Sequence, residues 1–324
     1  MRVTKDMIDP SLRLPGRIVD RLMGGTQTVI SLRKGDPTAL KLLKYLPARG
    51  IRRYEVTATR PDGTDLRLIV MAPLTPVPDA PALLWIHGGG YAFGSPDGEA
   101  VSVRPMIDAT GAVVVSPDYR RSSQAPYPAA LDDCYTALVW LRDNAVRLGA
   151  ADDRIVVGGV SAGGGLTAAL SLLARDRGEV NIAFQCPIYP MIDDRPTPSS
   201  TDNTAPVWNS VTNCNAWRLY LGELEGGDVP AYAAPARATD LSGLPPTITF
   251  VGSIEAFHDE TSAYVDALNA AGVPTEFRVV PGAWHGFDAA APWTRPAKEA
   301  KAWFLDRFVE YTARYRAPQP GSAV

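Results

Sequence analysis

The chain has 324 residues, 46% hydrophobic and 21% charged, a composition that argues against wholesale disorder and is ample for a large buried core. Lysine and arginine number 32 against 35 acidic residues, a net charge of −3 with no basic block, so no nucleic-acid partner is expected. Cys134, Cys186 and Cys214 form an odd set with neither disulfide nor zinc-ligand spacing. They point to a reducing compartment, and with no apolar leader in the first sixteen residues the expected location is cytoplasmic.

In chain order, apolar residues recur at roughly helical spacing from Leu12 to Leu46, broken by Gly24-Gly25 and by Gly35-Asp36-Pro37. Two or three short amphipathic helices are predicted there, either a packing arm or a lid, and residues 1–50 are read as an N-terminal cap segment. Runs 51–60 and 64–72 flank Pro61-Asp62-Gly63 and predict a hairpin. Short Val-, Ile- and Leu-rich runs then follow at 82–86, 112–116, 154–160, 182–188, 247–252 and 275–280, the pattern of strands buried on both faces. Helical stripes at 129–148, 166–175, 261–271 and 296–311 separate most of them. Strand alternating with helix predicts an α/β fold, a mostly parallel doubly wound sheet covered by helices. Residues 51–190 and 246–324 are read as this core. Residues 191–245, poor in strand pattern and carrying Trp208, Trp217 and Tyr220 near a short helix at 213–221, are read as an insertion completing the cap.

The first chemical signal is His87-Gly88-Gly89-Gly90, directly after the strand at 82–86. Glycines of this kind let the backbone approach a reacting oxygen, which a Cβ would obstruct. The second is Gly159-Val160-Ser161-Ala162-Gly163, between a strand and a helix. This is the G-x-S-x-G elbow, a turn so tight that small neighbours are needed for the serine to stand exposed. The same reading accounts for residues 155–174, which run twenty positions without a charge yet hold five glycines around Ser161: a strand, an elbow and a core helix, with no membrane span.

The two motifs in this order predict a hydrolase with Ser161 as nucleophile and an oxyanion hole of Gly89, Gly90 and Ala162 N–H groups, His87 and Gly88 supporting the motif. Of three histidines, His87 belongs to the glycine loop and His258 sits at a helix start among acids. His285, beyond the strand at 275–280, is therefore the expected base. The acid should come from the loop after 247–252, where Glu255, Asp259 and Glu260 all stand. Asp259 and Glu260 fit helix capping and the macrodipole, which favours Glu255 and keeps Asp259 as the alternative. Tyr91, Trp208 and Trp217 are candidate pocket residues.

These motifs, with Asp118-Tyr119-Arg120, Pro126-Tyr127-Pro128-Ala129-Ala130 and His285-Gly286-Phe287, resemble the bacterial hormone-sensitive lipase family (family IV carboxylesterases) of α/β-hydrolases, over most of the chain from about residue 82 onward. The resemblance implies an α/β-hydrolase fold with a helical cap and a serine carboxylesterase acting on small, short-to-medium acyl esters through a Ser-His-Glu triad and an acyl-enzyme. Two departures stand out. Val160 replaces a usual acidic residue or Thr, and Glu255-Ala256-Phe257-His258-Asp259-Glu260 replaces Asp-Pro-Leu-x-Asp-Glu, a match that puts Glu255 at the catalytic position and Asp259 at the secondary acidic one. The same apparatus could open a lactone or cleave an amide or carbamate, and the fold can also serve a non-catalytic small-molecule receptor. No metal or organic cofactor is expected. The expected partner is a small-molecule ester, with no membrane involved, and assembly as a homodimer is left open.

Overall fold

The computed structural model describes residues 1–22, 25–34 and 50–321. Its centre is an eight-stranded sheet in the order β1-β2-β4-β3-β5-β6-β7-β8. The hairpin forms first: β1 (Ile51–Thr59) and β2 (Asp65–Pro73) pair antiparallel with Ile51 opposite Pro73, turning at Gly63, whose φ of 83° suits a residue without Cβ. β2 then lies antiparallel on β4 (Val113–Pro117). All other pairings, through β3 (Ala82–Ile86), β5 (Ile155–Val160), β6 (Phe184–Ile188), β7 (Thr247–Gly252) and β8 (Thr275–Val280), are parallel. The central strands β3 to β7 are buried almost throughout, which is why they read as unbroken apolar runs. β8 closes one edge and is only half-buried.

Helices cover both faces. Ala129–Leu148 and Ala162–Arg177 share one apolar cluster with β3 and β5, while Ala100–Thr110 and Arg295–Arg314 pack into the other. The strand and helix pattern predicted this mostly parallel sheet covered by helices, and the architecture is the α/β-hydrolase fold that the resemblance implied. Helix 100–110 was not legible beforehand, because Pro105 stands inside it and interrupts the helical pattern. Helix starts also fall earlier than predicted: Ala162 directly after the serine, His258 in place of 261, and Ser210 in place of 213, where Asn209 accepts a hydrogen bond from the Thr212 N–H. Among the described residues of the N-terminal segment the α-helices are Arg13–Leu22 and Val29–Arg33. The predicted breaks at Gly24 and at Gly35-Asp36-Pro37, and the apolar positions Met23, Leu40, Leu43 and Leu46, lie outside the described residues. No described helix is long and apolar enough to cross a membrane. The stretch 155–174 is β5, the Ser161 turn and the first part of a buried helix.

Candidate active site

The parallel strands end on one side of the sheet, and the loops leaving β3, β5, β6, β7 and β8 there supply the site. After β5 the chain turns within one residue. Ser161 adopts φ 59° and ψ −120°, its N–H donating to the Ile188 carbonyl at 3.0 Å while its own carbonyl accepts from Gly165 and Met191. Only small neighbours fit beneath it. A Cβ on Gly159 would lie 2.5 Å from the Ile86 oxygen, and one on Gly163 would lie 2.1 Å from the same atom. The elbow is thus held by contact between two adjacent strands and the helix that follows.

The loop after β7 carries Glu255, fully buried, and the loop after β8 carries His285. The structure brings both to the serine: Glu255 Oε2 lies 2.6 Å from His285 Nδ1, and His285 Nε2 lies 2.8 Å from Ser161 Oγ. The other Glu255 oxygen accepts the Gly252 N–H at 3.0 Å. Burial pushes the Glu255 carboxyl up from its ordinary value, while His285 and the Gly252 hydrogen bond act in the opposite direction. Three rings hold the imidazole: Phe257 perpendicular at 4.9 Å, Tyr189 edge-on at 5.0 Å and Trp208 tilted at 6.1 Å. The histidine loop is also braced from the far end of the chain. Asp9 N–H donates to the Gly282 carbonyl, and the buried Trp284 indole donates to the Leu12 carbonyl at 3.1 Å.

Asp259 and Glu260, the rival acids, are engaged elsewhere. Asp259 accepts the Ser199 N–H at 2.7 Å and sits 2.8 Å from His258 Nδ1. Glu260, which the sequence suggested as a first-turn acid serving the helix macrodipole, is buried and accepts the N–H groups of Ile192 and Asp193, tying down the start of residues 191–245.

The glycine loop reaches the serine from β3. A Cβ on Gly88 would crowd the Val160 oxygen at 2.9 Å and the Ser161 Cβ at 3.3 Å. Gly89 has φ 122° and is closed in by the Phe93 carbonyl, 2.0 Å from a virtual Cβ; Gly90 has φ 56° and lies under the Trp208 ring, which a Cβ there would meet at 2.2 Å. Among the described residues no backbone acceptor is bonded to the N–H of Gly89, Gly90 or Ala162. His87 is buried beneath, stacked on Tyr119 at 4.2 Å, and Tyr119 donates to the His87 carbonyl. Its part is to fix the loop.

Ser161, His285 and the glycine loop face one cavity of about 530 Å³, whose wall also includes Val160 and Trp208. Of the three aromatic residues expected to line it, Trp208 does. Tyr91 and Trp217 do not. Tyr91 is fully buried at φ 60°, stacked on Tyr220 at 3.8 Å with its hydroxyl on the Met191 carbonyl, and Trp217 packs beside both in the core. Among the lining residues that sequence reasoning missed are Phe93, Asp97, Glu99, Ser102, Arg121 and Tyr189. Asp118, Val160 and Gly286, also in the lining, stood in motifs already singled out.

No group of His, Cys, Asp or Glu among the described residues is arranged to hold a metal ion. The three cysteines are free thiols, two of them buried.

Comparison with known proteins corrects the family drawn from the motifs. The alpha/beta hydrolase fold family matches residues 83–289. Among curated relatives, esterase LipI of Mycobacterium tuberculosis is 34% identical, covering 82% of this chain and 91% of its own length. Carboxylesterase NlhH of the same organism is 36% identical over 72% and 75%. Among solved structures, a bacterial heroin esterase superposes with a TM-score of 0.87 at 32% identity, over 96% of this chain and 99% of that one. The hormone-sensitive lipase assignment is not supported by these matches and is replaced by the broader one; its motifs mark the shared fold without fixing that branch. With the site, the family match and esterase relatives pointing the same way, the chain belongs to the alpha/beta hydrolase fold family.

Proposed function

We propose that the protein is a serine carboxylesterase in which Ser161 is the nucleophile, His285 the general base and then acid, and Glu255 the residue that orients the imidazole. The observation carrying this reading is the continuous hydrogen-bonded line from Glu255 through His285 to Ser161, opening on a cavity beside the glycine loop. Ser161 Oγ attacks the ester carbonyl as its proton passes to His285 Nε2. Glu255 accepts from Nδ1–H, fixes the tautomer and stabilises the imidazolium that forms. The N–H groups of Gly89, Gly90 and Ala162 receive the oxyanion, a contribution that needs no reorganisation because the glycine backbone is already held open. His285 returns its proton to the leaving alcohol. Water, activated by the same nitrogen, then releases the acid and the serine.

Residues 1–50 and 191–245 act in this reading as a cap. Gln27 from the first and Val207 and Trp208 from the second stand in the cavity wall, and the two segments are joined by the Gln27 N–H to Thr212 and the Asn215 amide to the Gln27 carbonyl. Such a cap limits the acyl chain to short or medium length. The test is a panel of matched esters, lactones and amides from acetyl to palmitoyl, with a serine-directed organophosphate as covalent reporter. Turnover of short esters with one adduct on Ser161 is expected. Lactone turnover exceeding that of the matched ester would redirect the substrate class, and binding without turnover would favour the receptor.

A further inference from the structure

One wall of the cavity is polar, built by Asp97, Glu99, Ser102, Asp118 and Arg121. Three of these charges are accounted for within the protein. Asp97 meets Arg53 at 2.6 Å and Arg67 at 2.8 Å, and the Arg67 hydrogen bond, helped by its charge, holds the Asp97 carboxyl down at about 2. Asp118 meets Arg67 at 3.3 Å. Arg121 donates to the Gly94 carbonyl at 3.1 Å. Glu99 differs. One oxygen accepts the Trp85 indole N–H at 2.7 Å, and among the described residues no ion pair reaches it. It is crowded by protein yet open to the cavity, and burial pushes its carboxyl up against the pull of Trp85 and Ser102. The ionisable groups it pushes up in part, Tyr119 and Tyr189, offer no positive charge, and Arg121, which also lines the cavity, is engaged by the Gly94 carbonyl.

We propose that Glu99 is a specificity-determining residue that receives a protonated amine on the substrate, so that the preferred esters are cationic. The proposal rests on the ester-hydrolase reading. A desolvated carboxylate without a countercharge is costly, and an ammonium group entering the cavity supplies that countercharge together with a charge-assisted hydrogen bond. A neutral substrate leaves the group protonated or uncompensated. Phe93 and Trp208 line the same cavity, where an aromatic face adds to the binding of a cation that reaches it.

Two measurements on the full chain test it. Acetate esters of 3-(dimethylamino)propanol and of its carbon isostere 4-methylpentanol are compared at pH 7, in the wild type and in Glu99→Gln. The ratio of kcat/KM, cationic over neutral, should exceed one in the wild type and fall at least about tenfold in the variant, the scale of one charge-assisted hydrogen bond. A ratio that moves less than twofold overturns the proposal. Should the variant not fold, butylammonium and butanol are compared on the wild type, both as inhibitors of neutral-ester hydrolysis and as stabilisers in thermal unfolding. Butylammonium should act at concentrations about tenfold lower, and equal potency overturns the proposal. Failure of the wild type to turn over either ester counts instead against the esterase reading, and the thermal measurement still reports on Glu99.

Discussion

Replacing Glu255 by Gln isolates the part of the site that depends on which imidazole nitrogen carries the proton. In the wild type both carboxylate oxygens accept, one from Gly252 N–H at 3.0 Å and the other from His285 Nδ1 at 2.6 Å. An amide of the same shape has one oxygen and one NH₂ and must choose. With its oxygen toward Gly252, the NH₂ faces Nδ1, which then has to accept; the ring proton moves to Nε2, where it blocks transfer from Ser161. With the oxygen toward His285 the tautomer is right, but the NH₂ is set against the Gly252 N–H in a buried site, at a cost of roughly 1–3 kcal/mol. The unproductive arrangement therefore dominates. That penalty alone accounts for at most about 10²-fold; with the loss of the negative charge that steadies the imidazolium, the fall in kcat should approach the roughly 10⁴-fold seen for such an exchange in a serine hydrolase, about 5 kcal/mol of transition-state stabilisation. Asp259→Asn should cost less than tenfold, because Asp259 serves Ser199 and His258 and does not touch His285. Steady-state turnover of a short chromogenic ester at pH 7.5 decides between them, with thermal unfolding to show that both variants fold. Glu255→Gln within tenfold of the wild type, or Asp259→Asn as the worse of the two, would refute the reasoning.

Ser161→Ala should abolish both turnover and the mass increment from a serine-directed organophosphate, read by intact-protein mass spectrometry; equal labelling of the variant would place the nucleophile elsewhere. Gly90→Ala introduces a Cβ that would lie 2.2 Å from the Trp208 ring, so loop or ring must shift, and kcat should fall toward the roughly 10²-fold typical of a lost oxyanion donor; wild-type kcat in a folded variant would remove Gly90 from the hole. Because burial raises the Glu255 carboxyl above its ordinary value of 4.5, the folded state binds more proton than the unfolded one between 4.5 and the raised value. Wild-type stability relative to Glu255→Gln should thus be at its full value below pH 4.5 and fall as pH rises through the raised value, measured by urea unfolding at several pH values; a difference that grows with pH would show the carboxylate to be stabilised by folding. Across an acyl series from acetate to palmitate, kcat/KM should climb while each methylene finds apolar wall, at roughly 0.8 kcal/mol each, and collapse once the chain outgrows the cavity; a maximum on long emulsified chains would contradict a closed cap.

Much of the site was readable because tight backbone geometry leaves few residue choices. Only glycine fits where a virtual Cβ on residue 89 or 163 meets a carbonyl at about 2 Å, so the glycine loop and the elbow announce themselves in the sequence. The scarcity of histidine singled out His285, and chain order singled out the loop holding Glu255. What could not be read depends on distant segments meeting. Tyr91 and Trp217 look like any aromatic pocket lining until Tyr220 stacks on the first and closes the core. Glu260 looks like a helix-start acid until residues 192 and 193 arrive to donate to it. Asp97 and Glu99 enter the wall only because the loop after β3 folds back past Arg53, Arg67 and Trp85, a meeting of side chains as much as 44 positions apart. The family assignment went astray for a related reason: motifs shared across a fold specify the chemistry's scaffold and leave the branch open.

Trp208 touches three things at once: it closes the space over Gly90, it stands in the cavity wall, and it lies 6.1 Å from the His285 ring, anchored by its indole N–H on Asn213. Pocket size and catalytic competence therefore share a part. Any exchange that carves room for a bulkier acyl group at this position also loosens the support of the glycine backbone and of the imidazole. Breadth of substrate and rate of turnover cannot be tuned separately here. A lineage broadening its substrates by shrinking this side chain would first need a new support for residue 90, which makes Val207, elsewhere in the cavity wall, the easier place to begin.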